Sequence, residues 1–173
     1  GQLGSMLAIA ANKLKIKTII FCDDQDAPAQ KFSNEFIFGQ YNSQNKMKEF
    51  INKVDVVTYE FENIPYETLN TINKIKPVLP KPSINRIIQH RLAEKDFINK
   101  LNIKTTRYVS IEKESEIDSV EDLLPGLLKT VTLGYDGKGQ YLINNLKDLK
   151  KIKIDFSKNY ILEKLVKLKK EIS

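Results

Sequence analysis

Residues 134–140 read Gly-Tyr-Asp-Gly-Lys-Gly-Gln, with glycines at Gly134, Gly137 and Gly139. Glycine has no Cβ, so such a loop can bring its backbone close to a ligand and turn free N–H groups toward phosphate oxygens. Lys129, near the end of the apolar stretch before the loop, can set a point charge against the same oxygens. The chemistry on offer is phosphate binding; the alternative is an ordinary hairpin, for which Asp136-Gly137 is a strong turn signal. A second glycine turn, Gly1-Gln2-Leu3-Gly4, opens a helix, where unpaired N–H groups favour an anionic or polar ligand. It lacks the full dinucleotide fingerprint and the Lys-Ser/Thr pair of a P-loop. Glu60-Phe61-Glu62 sets two carboxylates at what reads as a strand end, facing one way with Phe61 opposite. That pair suits an amine-bearing ligand, or else is a solvated strand end with Glu62 leading into the next helix. Glu163 and Glu171 read as acids of a charged edge strand. His90 is the only histidine and Cys22 the only cysteine, which excludes a His-based triad and a Cys- or His-rich metal site. His90 reads as a helix-surface residue and Cys22 as a small apolar side chain.

These groups need elements to hold them. A helix is expected through Ala8 to Ala11, a strand over 18–21, and a turn at Asp23-Asp24-Gln25-Asp26. Met47, Phe50 and Ile51 recur at helical spacing within 44–52. Residues 55–61 read as a buried strand, a short helix starts near Pro65, and a brief strand covers 77–79. Strands alternating with helices indicate a parallel α/β sheet, in which ligands sit beyond the carboxyl ends of the strands. A glycine turn opening a helix needs a strand to feed it, so a first strand is expected upstream of Gly1. Pro80-Lys81-Pro82 marks a boundary. Beyond it the apolar spacing predicts one helix over 83–102 with Ser83 as N-cap, followed by strands over 107–111, 127–131, 140–143 and 160–165. The division expected is therefore 1–82 and 83–173.

The composition is that of a globular chain: 173 residues, 41% hydrophobic and 29% charged. Its net charge of +6 is concentrated. Residues 147–173 hold nine lysines against four acids, leaving +1 for the rest, and 25 of the 28 basic residues are lysine. Without aromatic residues interleaved among them, these lysines do not read as a nucleic-acid surface. No apolar run is long enough to span a bilayer, and no basic segment leads into an apolar core at the start. A lone cysteine suits a reducing compartment; a cytoplasmic protein with neither nucleic-acid nor membrane partners is expected.

Taken in order, five stretches resemble the N5-carboxyaminoimidazole ribonucleotide synthetase family of ATP-grasp enzymes: GQLG at residue 1, VVTYEFENIP, QHRLAEKDFINKLNI, LLKTVTLGYDGKGQ and EKLVKLKKEIS. They run over the whole chain, and GYDGKGQ and EFENIP are the specific ones. The resemblance implies a parallel-sheet pre-ATP-grasp domain lacking its first strand, then the first part of an α+β ATP-grasp module. It implies that Arg91 and Lys129 contact ATP phosphates and that Gly134, Tyr135, Asp136, Gly137, Lys138, Gly139 and Gln140 form a lid loop over them. Glu163, Lys164, Leu165 and Val166 would be the hinge strand holding adenine, and Glu171 would accept from the ribose hydroxyls. Gln2, Leu3, Glu60 and Glu62 would lie against the ribonucleotide. The implied reaction, in purine biosynthesis, is ATP-dependent carboxylation of aminoimidazole ribonucleotide by bicarbonate, releasing ADP and phosphate. This chain departs from the family at His90, where Asp is common, and at Thr130-Val131-Thr132, where Arg is common after the lysine.

The family continues for about as many residues beyond Ser173, and that part carries the Mg²⁺ ligands. No metal ligand or catalytic residue is assigned in this chain, which is expected to be truncated at both ends and inactive alone. The full-length family is often dimeric, so a homodimer is expected of the whole protein. Two other readings compete: a formate-dependent glycinamide ribonucleotide transformylase, which shares the architecture, and a non-catalytic fragment.

Overall fold

In the computed structural model, which describes residues 1–133, 139–152, 154–170 and 172, contacts divide the chain into two units, Gly1–Arg86 and Ile87–Ser173. The first unit begins with α1 (Gln2–Lys13). This helix buries its small residues Ser5 and Ala8 and leaves Leu3 and Met6 exposed. Next come β1 (Ile19–Cys22), a 3-10 turn over Pro28–Phe32, β2 (Glu35–Phe38), α2 (Gln44–Ile51), β3 (Val57–Thr58), α3 (Tyr66–Asn73) and β4 (Val78–Leu79).

β1 pairs with β2 and β3 with β4, both in parallel. The unit's core is built from Met47, Phe50 and Ile51 of α2, Leu69 and Ile72 of α3, and Ile37, Val57 and Val78 of the strands. The helical residues stand three and four apart, so each helix turns one apolar stripe inward. On β2 Ile37 is buried and its neighbour Phe38 exposed, as alternation along a strand requires.

Two expectations are corrected here. The strand expected over 55–61 is only Val57–Thr58, because β4, its partner, offers just two residues for pairing. Glu60, Phe61 and Glu62 therefore lie in the connection to α3, and no strand alternation fixes their faces. β2 was not expected, since its four residues, Glu-Phe-Ile-Phe, make a short run with only one polar position, although Ser33-Asn34 and Gly39 flank them.

The division between the units falls within α4 (Pro82–Ile88). The continuous helix expected over 83–102 is broken: α5 (Arg91–Lys100) starts anew, with His90 extended at φ −131° and its Nδ1 accepting from Ala93 N at 3.2 Å. His90 is thus an N-cap, and Ser83 lies inside α4 rather than capping it. The chain continues through β5 (Tyr108–Ile111), two 3-10 turns (Glu114–Ser119 and Glu121–Leu123), β6 (Gly126–Thr130), β7 (Gln140–Ile143), α6 (Leu146–Lys151) and β8 (Tyr160–Lys164). The strands of the second unit form one antiparallel sheet in the order β5-β8-β6-β7.

Alternation along this sheet decides which residues become core. Ile111, Leu128, Ile143 and Leu162 are fully buried on one face with Leu149 of α6. Their neighbours Tyr108, Lys129 and Glu163 are thereby turned to the other face. α6 had no periodic signal long enough to read; Asn145 caps it, accepting from Asp148 N at 3.1 Å. Among the described residues no helix is long and apolar enough to cross a membrane.

Candidate functional site

The charged face of the second unit's sheet carries a buried ion cluster. Lys129 pairs in register with Ile161, and Glu163 stands two residues further along β8. The two side chains are therefore diagonal neighbours on one face, within reach for long side chains. Lys129 Nζ donates to Glu163 Oε2 at 2.8 Å. The other carboxylate oxygen, Oε1, lies 3.3 Å from Lys95 Nζ of α5. Glu163 is 9% exposed at its side chain, Lys95 15% and Lys129 19%. Ion pairs this withdrawn from water are far less screened than surface pairs.

Lys95 is held from a second side by the ring of Tyr108, its ammonium 5.3 Å from the centroid. Tyr108 sits directly across from Glu163 in the β5–β8 ladder. Its hydroxyl donates to Asp96 Oδ1 at 2.5 Å and accepts from Asn99 Nδ2 at 3.0 Å. The Asp96 carboxylate holds the Tyr108 phenol above its ordinary range, with burial adding to the effect.

Arg91 opens α5 one turn before Lys95. Its Nη1 donates to Thr130 O at 2.7 Å, and its backbone N–H donates to Val131 O at 2.9 Å. The structure thus brings Arg91 and Lys129, the two cations expected to meet phosphate, to the end of β6. There the chain enters the glycine loop. Gly134, Tyr135, Asp136, Gly137 and Lys138 lie outside the described residues, as does Glu171. Gly139 and Gln140 return from the loop: Gln140 pairs with Lys129, and Gly139 adopts φ +70°. A Cβ on Gly139 would come within 2.9 Å of Thr130 Oγ1, so both the left-handed backbone and the close approach require glycine.

The remaining expected hinge residues divide. Lys164 Nζ donates to Asp122 O at 2.8 Å. β8 ends at Lys164, short of the expected 160–165 and of Glu171, and Leu165 and Val166 continue beyond it. Leu165 N donates to Pro125 O at 2.9 Å, while Val166 is exposed. Lys95 was missed in the sequence. Its signal was its place four residues after Arg91 on one helix face, but its partner lies on a strand 68 positions away.

In the first unit, the two motifs expected to meet a ligand lie together. A Cβ added at Gly1 or Gly4 would fall 3.4 or 3.3 Å from Glu60 Oε1. The carboxylate therefore rests against the first turn of α1, where the helix dipole favours a negative charge. Gln2 and Leu3 are exposed beside it. Glu62 is exposed too; its carbonyl accepts from Asn85 Nδ2 at 2.9 Å. Of two surface hollows, one of about 460 Å³ borders the cluster through Asn99 and Tyr108 and is otherwise lined by residues such as Thr106, Ser119 and Asp122, and one of about 570 Å³ is lined by residues such as Ile117, Ile154 and Phe156. Neither brings cations together as the cluster does. Among the described residues no group of three His, Cys, Asp or Glu side chains is placed to hold a metal.

Residues 1–89 match the family model described as the ribonucleotide synthetase preATP-grasp domain, and residues 96–173 match the ATP-grasp domain. The chain belongs to the ribonucleotide synthetase preATP-grasp family. Within that family it is similar to the N5-carboxyaminoimidazole ribonucleotide synthase of Staphylococcus aureus (strain COL), 34% identical over 176 residues, covering 100% of this chain and 47% of that protein. A bifunctional purine synthesis protein of Dictyostelium discoideum is 41% identical over 151 residues, covering 86% of this chain and 15% of its own length. Among solved structures, N5-carboxyaminoimidazole synthetase from Staphylococcus aureus complexed with ADP superposes with a TM-score of 0.89 at 32% identity, over 98% of this chain and 46% of that one. The chain thus spans less than half the length of these relatives. The mixed α/β fold, with a pre-ATP-grasp unit and part of an ATP-grasp unit, is the family's.

Proposed function

We propose that this chain forms the nucleotide-phosphate side of an ATP-dependent ligase that carboxylates 5-aminoimidazole ribonucleotide. The observation that carries this reading is the convergence of Arg91 and Lys129 at the mouth of the glycine loop, in a chain similar to synthases of that name. Cations at this point neutralise polyphosphate charge, and the loop 134–140 covers the phosphates and keeps water from the reacting group. The strand end at Glu163, Lys164, Leu165 and Val166 holds adenine, and Glu171 accepts from the ribose hydroxyls. A bicarbonate oxygen attacks the γ-phosphorus as its bond to the bridging oxygen breaks, giving carboxyphosphate and ADP. The exocyclic amine of the ribonucleotide then takes the carboxyl group and phosphate leaves. The protein supplies position and charge in both steps.

In the first unit Glu60, with the N–H groups of the first turn of α1, offers an acceptor and donors side by side. It orients the amine-bearing substrate, with Gln2, Leu3 and Glu62 around it. The described residues do not make a Mg²⁺ site, and the ligands of that ion belong to the part of the relatives this chain does not span. A homodimer in the cytoplasm completes the reading.

The test is ADP release from Mg-ATP and bicarbonate, with and without aminoimidazole ribonucleotide, by this chain and by a form extended to the length of the relatives. Turnover stimulated by that substrate in the extended form, with a raised KM for it in Glu60→Gln, is the expected result. Stimulation by glycinamide ribonucleotide and formate instead would replace the substrate assignment. No nucleotide turnover in either form would leave a non-catalytic fragment.

A further inference from the structure

We infer that Lys95 is a positioning residue for anion binding: by taking one oxygen of Glu163, it leaves the charge of Lys129 available to a polyphosphate. The inference rests on the proposed phosphate role of Lys129. The cluster holds one carboxylate between two ammonium groups, Lys129 on Oε2 and Lys95 on Oε1, so its net charge is +1. Without Lys95 the remaining Glu163–Lys129 pair is neutral, and the charge of Lys129 that an anion would meet is already cancelled by the carboxylate beside it. Partial burial makes that difference felt, since the lower local dielectric strengthens both attraction and repulsion.

The surroundings of Lys95 are those of a group held in place. The Tyr108 ring lies 5.3 Å from its ammonium. Tyr108 in turn is tied by Asp96 and Asn99 to the helix that carries Lys95. α5 has no fully buried residue, so these polar contacts, with those of Arg91 to Thr130 and Val131, fix it against the sheet where an apolar stripe would otherwise do so. Asp96 is turned to the tyrosine hydroxyl, so Glu163 is the carboxylate that Lys95 itself meets.

The experiment measures binding of ADP and of inorganic tripolyphosphate to the full chain by titration calorimetry at fixed ionic strength. Lys95→Met is expected to weaken both probes about tenfold, and Lys95→Arg to weaken them less. The deciding variant combines Lys95→Met with Glu163→Gln. It restores the +1 charge and is expected to recover most of the affinity lost for tripolyphosphate, the probe without the adenine that the Glu163 strand end is proposed to hold, which a purely structural or direct-contact role for Lys95 would not allow. Failure of that recovery overturns the inference while leaving nucleotide binding in place. Tripolyphosphate bound in the expected order without ADP refutes the nucleotide reading alone, and wild-type chain that binds neither probe refutes both. Where Lys95→Met loses its circular-dichroism signal, Lys95→Gln takes its place in both the single and the double variant.

Discussion

Tyr41 shows how one side chain records its surroundings. Its hydroxyl points at Cys22 Sγ, 3.8 Å away, and its ring meets Phe21 edge-on with centroids 5.5 Å apart. Burial first and the neighbouring thiol second push the phenol above its ordinary value. The folded state therefore favours the neutral phenol. The resulting stability is complete below the unfolded value of about 10 and is lost as pH rises above it. Urea midpoints between pH 8 and 11, about the range that brackets this value, are expected to fall more steeply for wild type than for Tyr41→Phe. Equal slopes would show that Tyr41 is not the group responsible. Glu163 shows the same dependence on surroundings: a carboxylate that reads in the sequence as an edge-strand acid is buried between two lysines.

At the scale of elements, α5 matters most, because it carries Arg91 and Lys95 and owes its start to His90. An imidazole nitrogen is a serviceable acceptor for the N–H of Ala93, but a carboxylate caps as well and adds favourable charge at the helix N-terminus. His90→Asp is expected to raise stability by about 0.5–1 kcal/mol, read as a higher urea midpoint with an unchanged slope. A lower midpoint would show that His90 has a packing role the cap does not explain. The break at His90 was hidden in the sequence because apolar residues keep helical spacing on both sides of it, from Ile84 to Leu101. Spacing alone does not reveal a residue whose backbone leaves the helix. The strands of the second unit were legible, since alternation there is strict enough to bury Leu128 and Leu162 while exposing Lys129 and Glu163 to each other.

For the whole molecule, the consequence of the proposed site is linkage between ligand and folding. A nucleotide that binds only the folded chain stabilises it by about 2.7 kcal/mol at a hundredfold excess over Kd. A rise in unfolding temperature with ADP concentration, absent in Lys129→Met, is the expected outcome of differential scanning fluorimetry. An equal rise in that variant would place the bound nucleotide elsewhere. The chain spans less than half of the synthases it resembles, so catalytic turnover is a property to be tested in a longer form.

The sequence alone determined the order of motifs, the glycine loop, Lys129 as a phosphate cation and the mixed α/β class, because these follow from residue type and local period; Arg91 joined Lys129 only through the family resemblance. It placed Arg91 and Lys129 in the same role without showing that they meet at one end of β6. Tertiary structure decided the pairings between distant positions: Glu60 with Gly1 and Gly4, and Glu163 with Lys95 and Lys129. Such contacts depend on strand register and on which helix face turns inward. Both are fixed by burying apolar residues far apart in the chain, and no local pattern around a single lysine records its partner.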